Sequence, residues 1–486
     1  MTQNNNDSPL TLLWHDYEAW GANPQKDHPS QFAAIRTDMD LNEIDEPVNW
    51  LCQIPNDYLP HPIACLITGI TPQKSLRDGM TEAEFMAKVH SELAKPNTCT
   101  VGYNSIRFDD EVTRHSLYRN FYDPYAREWQ NGNSRWDIID LVRATYALRP
   151  EGINWVYKDS GEPSFKLEDL AQANGILHET AHDALSDVRA TIGLAKLIKQ
   201  HQPKLFDFFF SLRKKDAVWQ QINLEQLVPL IHVSSKLPSV QGCCTWVVPV
   251  IQHPTNKNAV VALNLQLDPS PLLNLSVEEL NEKLYQKFSD LAPGEERLPI
   301  KQIHVNKCPF IATAKSLSAE NAKRLDIDRQ QCLENLKFIQ NNAQTIADKL
   351  YQLSSIPFKN DDQGAVDCDH ALYSGGFISN QDRLTCQMVL TSQPEQLAAL
   401  SSEFSDTRLA KLLFRYRARN FPDTLNSEEL QRWQAHRYSR LHDESSNASI
   451  GFSEYGLELE RLVEEYQHNP AKISLLKDLY LYAEQL

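Results

Sequence analysis

From Leu10 to Lys199, apolar runs of strand length alternate with stretches of helical spacing, and this alternation restricts the possible folds more than any other feature of the chain. Leu10 to Trp14 is a short apolar run ending in His15-Asp16-Tyr17-Glu18, the pattern of a strand with polar residues at its end. Pro62 to Ile67 and Thr98 to Tyr103 read as further strands. Helical spacing marks Thr81 to Ala94, Phe108 to Arg119, Arg135 to Leu148, and Leu167 to Asn174, which Gly175 closes. It is clearest from Ala184 to Lys199, where Val188, Ile192, Leu194, Ala195 and Ile198 share an inward face. Such alternation predicts a mixed sheet covered by helices.

A chain of 486 residues exceeds what one core usually holds, so two or three domains are expected. After Pro203 the patterning changes to short β-like runs at Trp246 to Ile251, Ala259 to Leu263 and Ile300 to Val305, with helical segments around Cys332 to Leu353. Ser354 to Asp369 has little periodicity and reads as a linker. Helical patterns follow at Pro394 to Leu400, Thr407 to Tyr416, Ser427 to Tyr438, Gly456 to Tyr466 and Ala471 to Leu486. The predicted organisation is a multidomain α/β protein: 10–201 an α/β domain, 202–353 a β-rich domain, 354–369 a linker, and 370–486 an α-helical domain.

The nine cysteines form no C-x-x-C pair, which disfavours a zinc site or a disulfide framework and fits a reducing, cytoplasmic setting. The Asn-rich segment Met1 to Pro9 lacks the charge and apolar pattern of a signal peptide and reads as a frayed tail. No apolar run is long enough to span a bilayer, so no membrane is expected. A formal net charge of −16 argues against coating nucleic acid by bulk electrostatics, but leaves room for a local basic groove.

Three signals carry chemistry. In Asp16-x-Glu18, residues two apart on a strand share a face, so both carboxylates can reach one pocket. In Asn104-x-x-x-Phe108-Asp109 an Asp opens a helix; alone it could be a cap, and Asp110 competes for any other role. In His182-x-x-x-x-Asp187 the spacing puts His182 on the loop before a helix and Asp187 on its inner face, although His178 lies nearby. Taken singly, two solvated acids, a cap and a first-turn acid explain these residues. Taken together, each falls at a structural junction within the length of one domain. Four converging carboxylates would repel unless divalent ions lay between them. Two such ions ~4 Å apart suit phosphoryl displacement, with His182 taking a proton from the attacking water.

These residues resemble the DEDD exonucleases of the histidine subtype. The strings HDYEAWG (His15 to Gly21), QFAAIRTD (Gln31 to Asp38), GYNSIRFDDE (Gly102 to Glu111), RWDIIDLVRATYALRPEGINW (Arg135 to Trp155), HDALSDVRAT (His182 to Thr191), HVNKCP (His304 to Pro309) and FRYRARNFP (Phe414 to Pro422) are closer still to the bacterial exonuclease I family. The resemblance covers nearly the whole chain. It implies an RNase H-like exonuclease domain, an SH3-like domain and a C-terminal helical domain. It implies Asp16, Glu18, Asp109 and Asp187 as ligands of two Mg²⁺ ions, with Mn²⁺ able to substitute. It implies 3′→5′ processive degradation of single-stranded DNA to 5′-mononucleotides in DNA repair and recombination, by a monomer. It also implies docking of the acidic C-terminal tail of the single-stranded DNA-binding protein, with Arg149 matching a pocket arginine and Phe208 standing where the family has tyrosine. Two further departures are Ala19, where relatives carry Thr, and Lys166, where they carry Arg; Lys166 keeps the charge without the bidentate fork.

Single-stranded DNA is held by cations on phosphates and by aromatics under bases. Arg114, Tyr125, Trp129, Arg143 and Lys166 are candidates in the first domain, beside Glu18 at the terminal nucleotide. Tyr125 and Trp129 could equally be core, and Arg143 a structural ion pair. Arg415, Arg417 and Arg419 spread around a helix and could equally be ion-paired. Two other functions compete: an exoribonuclease, which a comparison of DNA and RNA oligomers separates, and a non-catalytic adaptor for nucleic acid or the protein tail, which metal-dependent mononucleotide release separates.

Overall fold

The computed structural model describes residues 8–176, 183–286, 296–357, 366–443 and 445–486. The chain divides into two compact units, and the division falls inside one strand and one helix. The first comprises residues 1–134, 178–191 and 362–486; the second comprises 135–177 and 192–361.

The first unit holds β1 (Thr11–Ala19), β2 (Pro29–Thr37), β3 (Val48–Leu51) and β4 (Thr98–Gly102) in the order β3-β2-β1-β4, and the units divide within β5 (Ser134–Asp137). β1 runs antiparallel to β2 and parallel to β4. Its helices are α1 (Pro62–Thr68), α2 (Pro72–Asp78), α3 (Glu82–Leu93) and α4 (Asp109–Arg119); α5 (Ile139–Leu148), α6 (Leu167–Ala173) and α7 (Ala184–His201) follow in sequence. Leu13, Tyr17 and Phe32 pack with Phe85, Val89, Leu93, Val112 and Leu117, so α3 and α4 cover one face of the sheet. Thr81 starts α3 with a capping box completed by Glu84.

The C-terminal helices belong to this same unit. Tyr455, Leu459, Leu476 and Leu479 form one core with Trp20, Leu59 and Cys65. Leu409, Leu412 and Leu413 form another with Tyr118 and Phe121. Burying a side chain such as Leu479 contributes about 1.5–3 kcal/mol. The stretch read as a linker ends differently from expectation: Cys368 and Asp369 are buried at the start of a 3-10 turn, Cys368–Tyr373.

The second unit holds β6 (Leu230–Val233), β7 (Cys244–Gln252), β8 (Ala259–Asn264), β9 (Ile300–His304) and β10 (Phe310–Thr313) in the order β10-β6-β7-β8-β9, each pair antiparallel. Pro249 sits at a register shift in β7, where a missing N–H is tolerated. The helices Arg329–Asn341 and Ala343–Ser355 close the unit.

Two local expectations are corrected. Pro62–Ile67 is helix α1 and not a strand: Pro62 occupies the first turn, and Gly69, at φ 68°, supplies the left-handed closing residue. Arg135–Asp137 is strand and not helix; the Asp137 carboxylate accepts the Ile139 N–H at 3.0 Å, and the helix starts only there. No described helix is long and apolar enough to cross a membrane.

Candidate active site

The end of β1 presents the first two acids. Leu13 and Tyr17 point into the core, while Asp16 and Glu18 alternate with buried neighbours and remain half-buried. Asp16 lies opposite Ala33 and Glu18 opposite Gln31, and the register shifts between Glu18 and Ala19. Such an irregularity ends the pairing and re-aims the side chain beside it.

Asp109 is the first residue of α4, and the capping position belongs to Phe108, which makes no side-chain cap. The Asp109 carboxylate instead accepts the Tyr17 N–H at 3.0 Å, which ties α4 to β1 between the two strand acids. Asp110 is committed elsewhere: it accepts from the fully buried Arg127 at 2.6 Å. The two neighbours are thus separated by their partners.

Asp187 lies in the first turn of α7, where negative charge is favoured by the helix dipole. Oxygens of Asp16, Glu18 and Asp187 lie within 4.8 Å of one another. His182 and His178 lie outside the described residues.

Burial, then Asp109, Glu18 and Asp187, raises the carboxyl of Asp16 well above the usual range. Burial, then Asp187 and Asp109, pushes Glu18 up to about 9. Both shifts come from desolvation and like charge. An all-oxygen, anionic cluster of this kind fits a hard divalent cation, which would let the acids stay ionised together at neutral pH.

Three family models match the chain: exonuclease over residues 13–195, exonuclease I SH3-like domain over 213–355, and exonuclease I C-terminal domain over 366–486. The exodeoxyribonuclease I of Escherichia coli (strain K12) is 48% identical over 478 residues, covering 98% of both chains. The chain belongs to the exonuclease I family. The exodeoxyribonuclease I of Haemophilus influenzae is 46% identical over 480 residues, covering 98% of this chain and 99% of the relative. Escherichia coli exonuclease I in complex with a dA16 oligonucleotide superposes with a TM-score of 0.92 at 48% identity, covering 98% and 99% of the two chains. The zinc-bound form of its complex with single-stranded DNA gives 0.92 at 47%, with the same coverage. The fold is therefore that of an exonuclease I: an exonuclease domain, an SH3-like domain and a C-terminal domain. Membership of an exonuclease family also implies dependence on a divalent metal.

The remaining predicted residues of this exonuclease I fall into different settings. Arg114 is 8% exposed, and its guanidinium donates to Glu128 at 2.8 Å and Glu111 at 2.7 Å, with its face 5.2 Å from the Tyr125 ring. Tyr125 and Trp129 are not core: they are 37% and 65% exposed. Arg415 and Arg419 are ion-paired to Asp367, Asp369 and Asp57, and Arg417 to Glu429. In the second unit, Arg143 pairs with Asp140 at 2.7 Å, while Lys166 is exposed at the start of α6. Also there, Arg149 and Phe208 line a cavity of about 510 Å³ with His201, Lys204 and Phe310. Ala19 is buried beside the strand irregularity.

Gln31 and Asp183 escaped the sequence reading. The Gln31 amide donates to Asp183 at 3.0 Å and to Asn49 at 2.8 Å, while the other Asp183 oxygen accepts the Ser186 N–H at 3.3 Å. Gln31 thereby links β2 to the first turn of α7. The legible part of this signal was an Asp directly before an apolar-faced helix.

Proposed function

We propose that Asp16, Glu18, Asp109 and Asp187 hold two Mg²⁺ ions, with Mn²⁺ able to substitute, and that His182 serves as general base in 3′→5′ hydrolysis of single-stranded DNA. The observation that carries this is the cluster of Asp16, Glu18 and Asp187 oxygens within 4.8 Å at the half-buried end of β1. Divalent ions held by these carboxylates would supply charge stabilisation for the attacking and leaving oxygens of an in-line displacement. The protein's own part is orientation: the Tyr17 N–H fixes Asp109, Arg127 keeps Asp110 away, and Gln31 anchors the turn that leads to Asp187. The enzyme removes 5′-mononucleotides processively and acts in DNA repair and recombination, as a monomer in the cytoplasm. The chain comprises an exonuclease domain at 10–201, an SH3-like domain at 202–353, a linker at 354–369 and a helical domain at 370–486. Tyr125 and Trp129 stack bases of the strand, Arg114 orients Tyr125, and Lys166 and Arg143 supply charge toward phosphates. A time course with 3′- and 5′-labelled oligomers, in Mg²⁺ and in EDTA, tests the direction and the metal together. Labelled mononucleotide is expected at once from the 3′ end only, and only with Mg²⁺; its absence with every divalent ion would sink the proposal.

Gln31→Leu is expected to lower turnover roughly tenfold while leaving single-strand affinity in EDTA unchanged, because it loosens support for the site without touching DNA. Unchanged turnover would remove Gln31 from this role.

The cavity at Arg149 and Phe208 is the docking site for the C-terminal tail of the single-stranded DNA-binding protein. Cations at Arg149 and Lys204 suit a terminal carboxylate, and the Phe208 and Phe310 rings, 6.3 Å apart, suit an apolar side chain. Arg149→Ala is expected to weaken binding of an acidic tail peptide by about tenfold or more and to spare cleavage of naked DNA. Titration of a labelled peptide decides it: equal affinity in the variant rules Arg149 out.

A further inference from the structure

Within the first unit, α4 packs against the 3-10 turn Cys368–Tyr373, where the His115 ring stands 5.4 Å from the Tyr373 ring. His115 and Arg119 lie one turn apart on α4 and share a face. His370, three residues before Tyr373, is an electrostatic neighbour of both. A third element arrives from the helix Ser427–His442: its Arg440 donates to Asp369, next to His370, at 3.2 Å. Two imidazoles and two guanidiniums thus meet at one place in the fold.

All four side chains are buried, the most open of them at 4% exposure. Nδ1 of His115, Nη1 of Arg119, Nε2 of His370 and Nη2 of Arg440 have no hydrogen-bond partner among the described residues. The nearby carboxylates are engaged by other nitrogens: Glu82 accepts from Nε and Nη2 of Arg119 at 3.1 and 3.0 Å, and Asp369 from Nη1 of Arg440. Leaving a buried donor unmade costs about 1–3 kcal/mol, so four from three elements mark a place for an acceptor. The donors also select its chemistry. A guanidinium never accepts, and each free Nη carries two N–H bonds. The arginines alone therefore offer more N–H bonds than a single water takes, since a buried water makes about three hydrogen bonds and must donate some of them. The surroundings are cationic as well. Burial, then Arg119, lowers His115 to about 3, and burial, then Arg440, lowers His370 to about 4. Both imidazoles are thus neutral at physiological pH, and each can turn one N–H inward.

We propose that His115, Arg119, His370 and Arg440 enclose a small singly charged anion of the halide class, chloride in the first place. A single charge keeps the cost of desolvation low in a site closed to solvent, and four converging donors offset it. The ion ties the last turns of α4 to the 3-10 turn and to the helix Ser427–His442. It is a structural ligand, separate from the carboxylate cluster, and the assignment does not depend on what the enzyme cleaves.

The test uses the full chain and bromide as the probe. Crystals grown in sodium bromide are expected to give an anomalous peak in contact with Nη1 of Arg119 and Nη2 of Arg440. In solution, the unfolding midpoint is expected to rise with sodium chloride or bromide and to saturate roughly 2–4 °C above its value in sodium gluconate of equal ionic strength, since gluconate is too large for the site. In His115→Phe and His370→Phe, each measured in both salts so that a lower baseline is subtracted, the halide increment is expected to fall by at least about half. No anomalous peak at these nitrogens overturns the proposal and leaves the place to water. Equal midpoints in halide and gluconate overturn it too, as does an increment that is unchanged in both variants.

Discussion

Asp187→Ala is expected to lower turnover at least about 10³-fold while leaving the affinity for single-stranded DNA in EDTA within about twofold. The asymmetry follows from the site. Asp187 contributes an oxygen to a cluster in which Asp16 and Glu18 lie within 4.8 Å. Removing it takes away one of the proposed metal ligands, and the aromatic and cationic surfaces proposed to hold the strand stay intact. Single-turnover rates at saturating Mg²⁺, beside anisotropy titrations in EDTA, separate the two effects. Near-normal turnover would show that the carboxylate cluster is structural. Parallel loss of turnover and affinity would show that Asp187 supports DNA binding and not chemistry.

Asp369→Ala is expected to destabilise the first unit by about 3–5 kcal/mol. Asp369 and Asp57 are each 1% exposed. Asp369 accepts from Arg415 at 2.8 Å, Arg419 at 2.6 Å and Arg440 at 3.2 Å, and Arg419 also reaches Asp57 at 2.7 Å. Deleting one carboxylate leaves buried guanidinium charge uncompensated. Thermal or urea unfolding reads the effect, and an unchanged midpoint would mean that the arginines find other partners. The pH dependence has a definite sign. Burial alone would raise both carboxyls, but Arg419 and its neighbours hold them well below the usual range. Groups depressed in the folded state add stability above their unfolded value near 4 and lose it as pH falls below that value. Acid unfolding below about pH 4 is therefore expected to be steeper in the parent than in Asp369→Asn.

The readable part of the site was the part written in local periodicity. Two residues apart on a strand meant one face for Asp16 and Glu18, and the apolar stripe of α7 put Asp187 inward. The choice between Asp109 and Asp110 was not local: it depends on Arg127, a buried cation from a later turn. β2 was missed because all of its positions are buried, so it lacks the alternation that marks a half-exposed strand. Asp369 looked like part of a polar linker because the arginines that bury it lie 46 to 71 residues further on. Pro62–Ile67 looked like a strand because a short apolar run carries no period, and only its flanking Pro and Gly distinguish it.

The first unit draws on both ends of the chain, and this bears on synthesis. Asp57 finds Arg419 only 362 residues later. At about 5–20 residues per second, a ribosome takes roughly 20–70 s to cover that interval. Until then the nascent N-terminal segment carries an acid destined for burial with no cation to meet it, and apolar residues such as Trp20 and Leu59 have no C-terminal helices to cover them. The half-made polypeptide is therefore expected to hold its own carboxylates less firmly than the finished chain does.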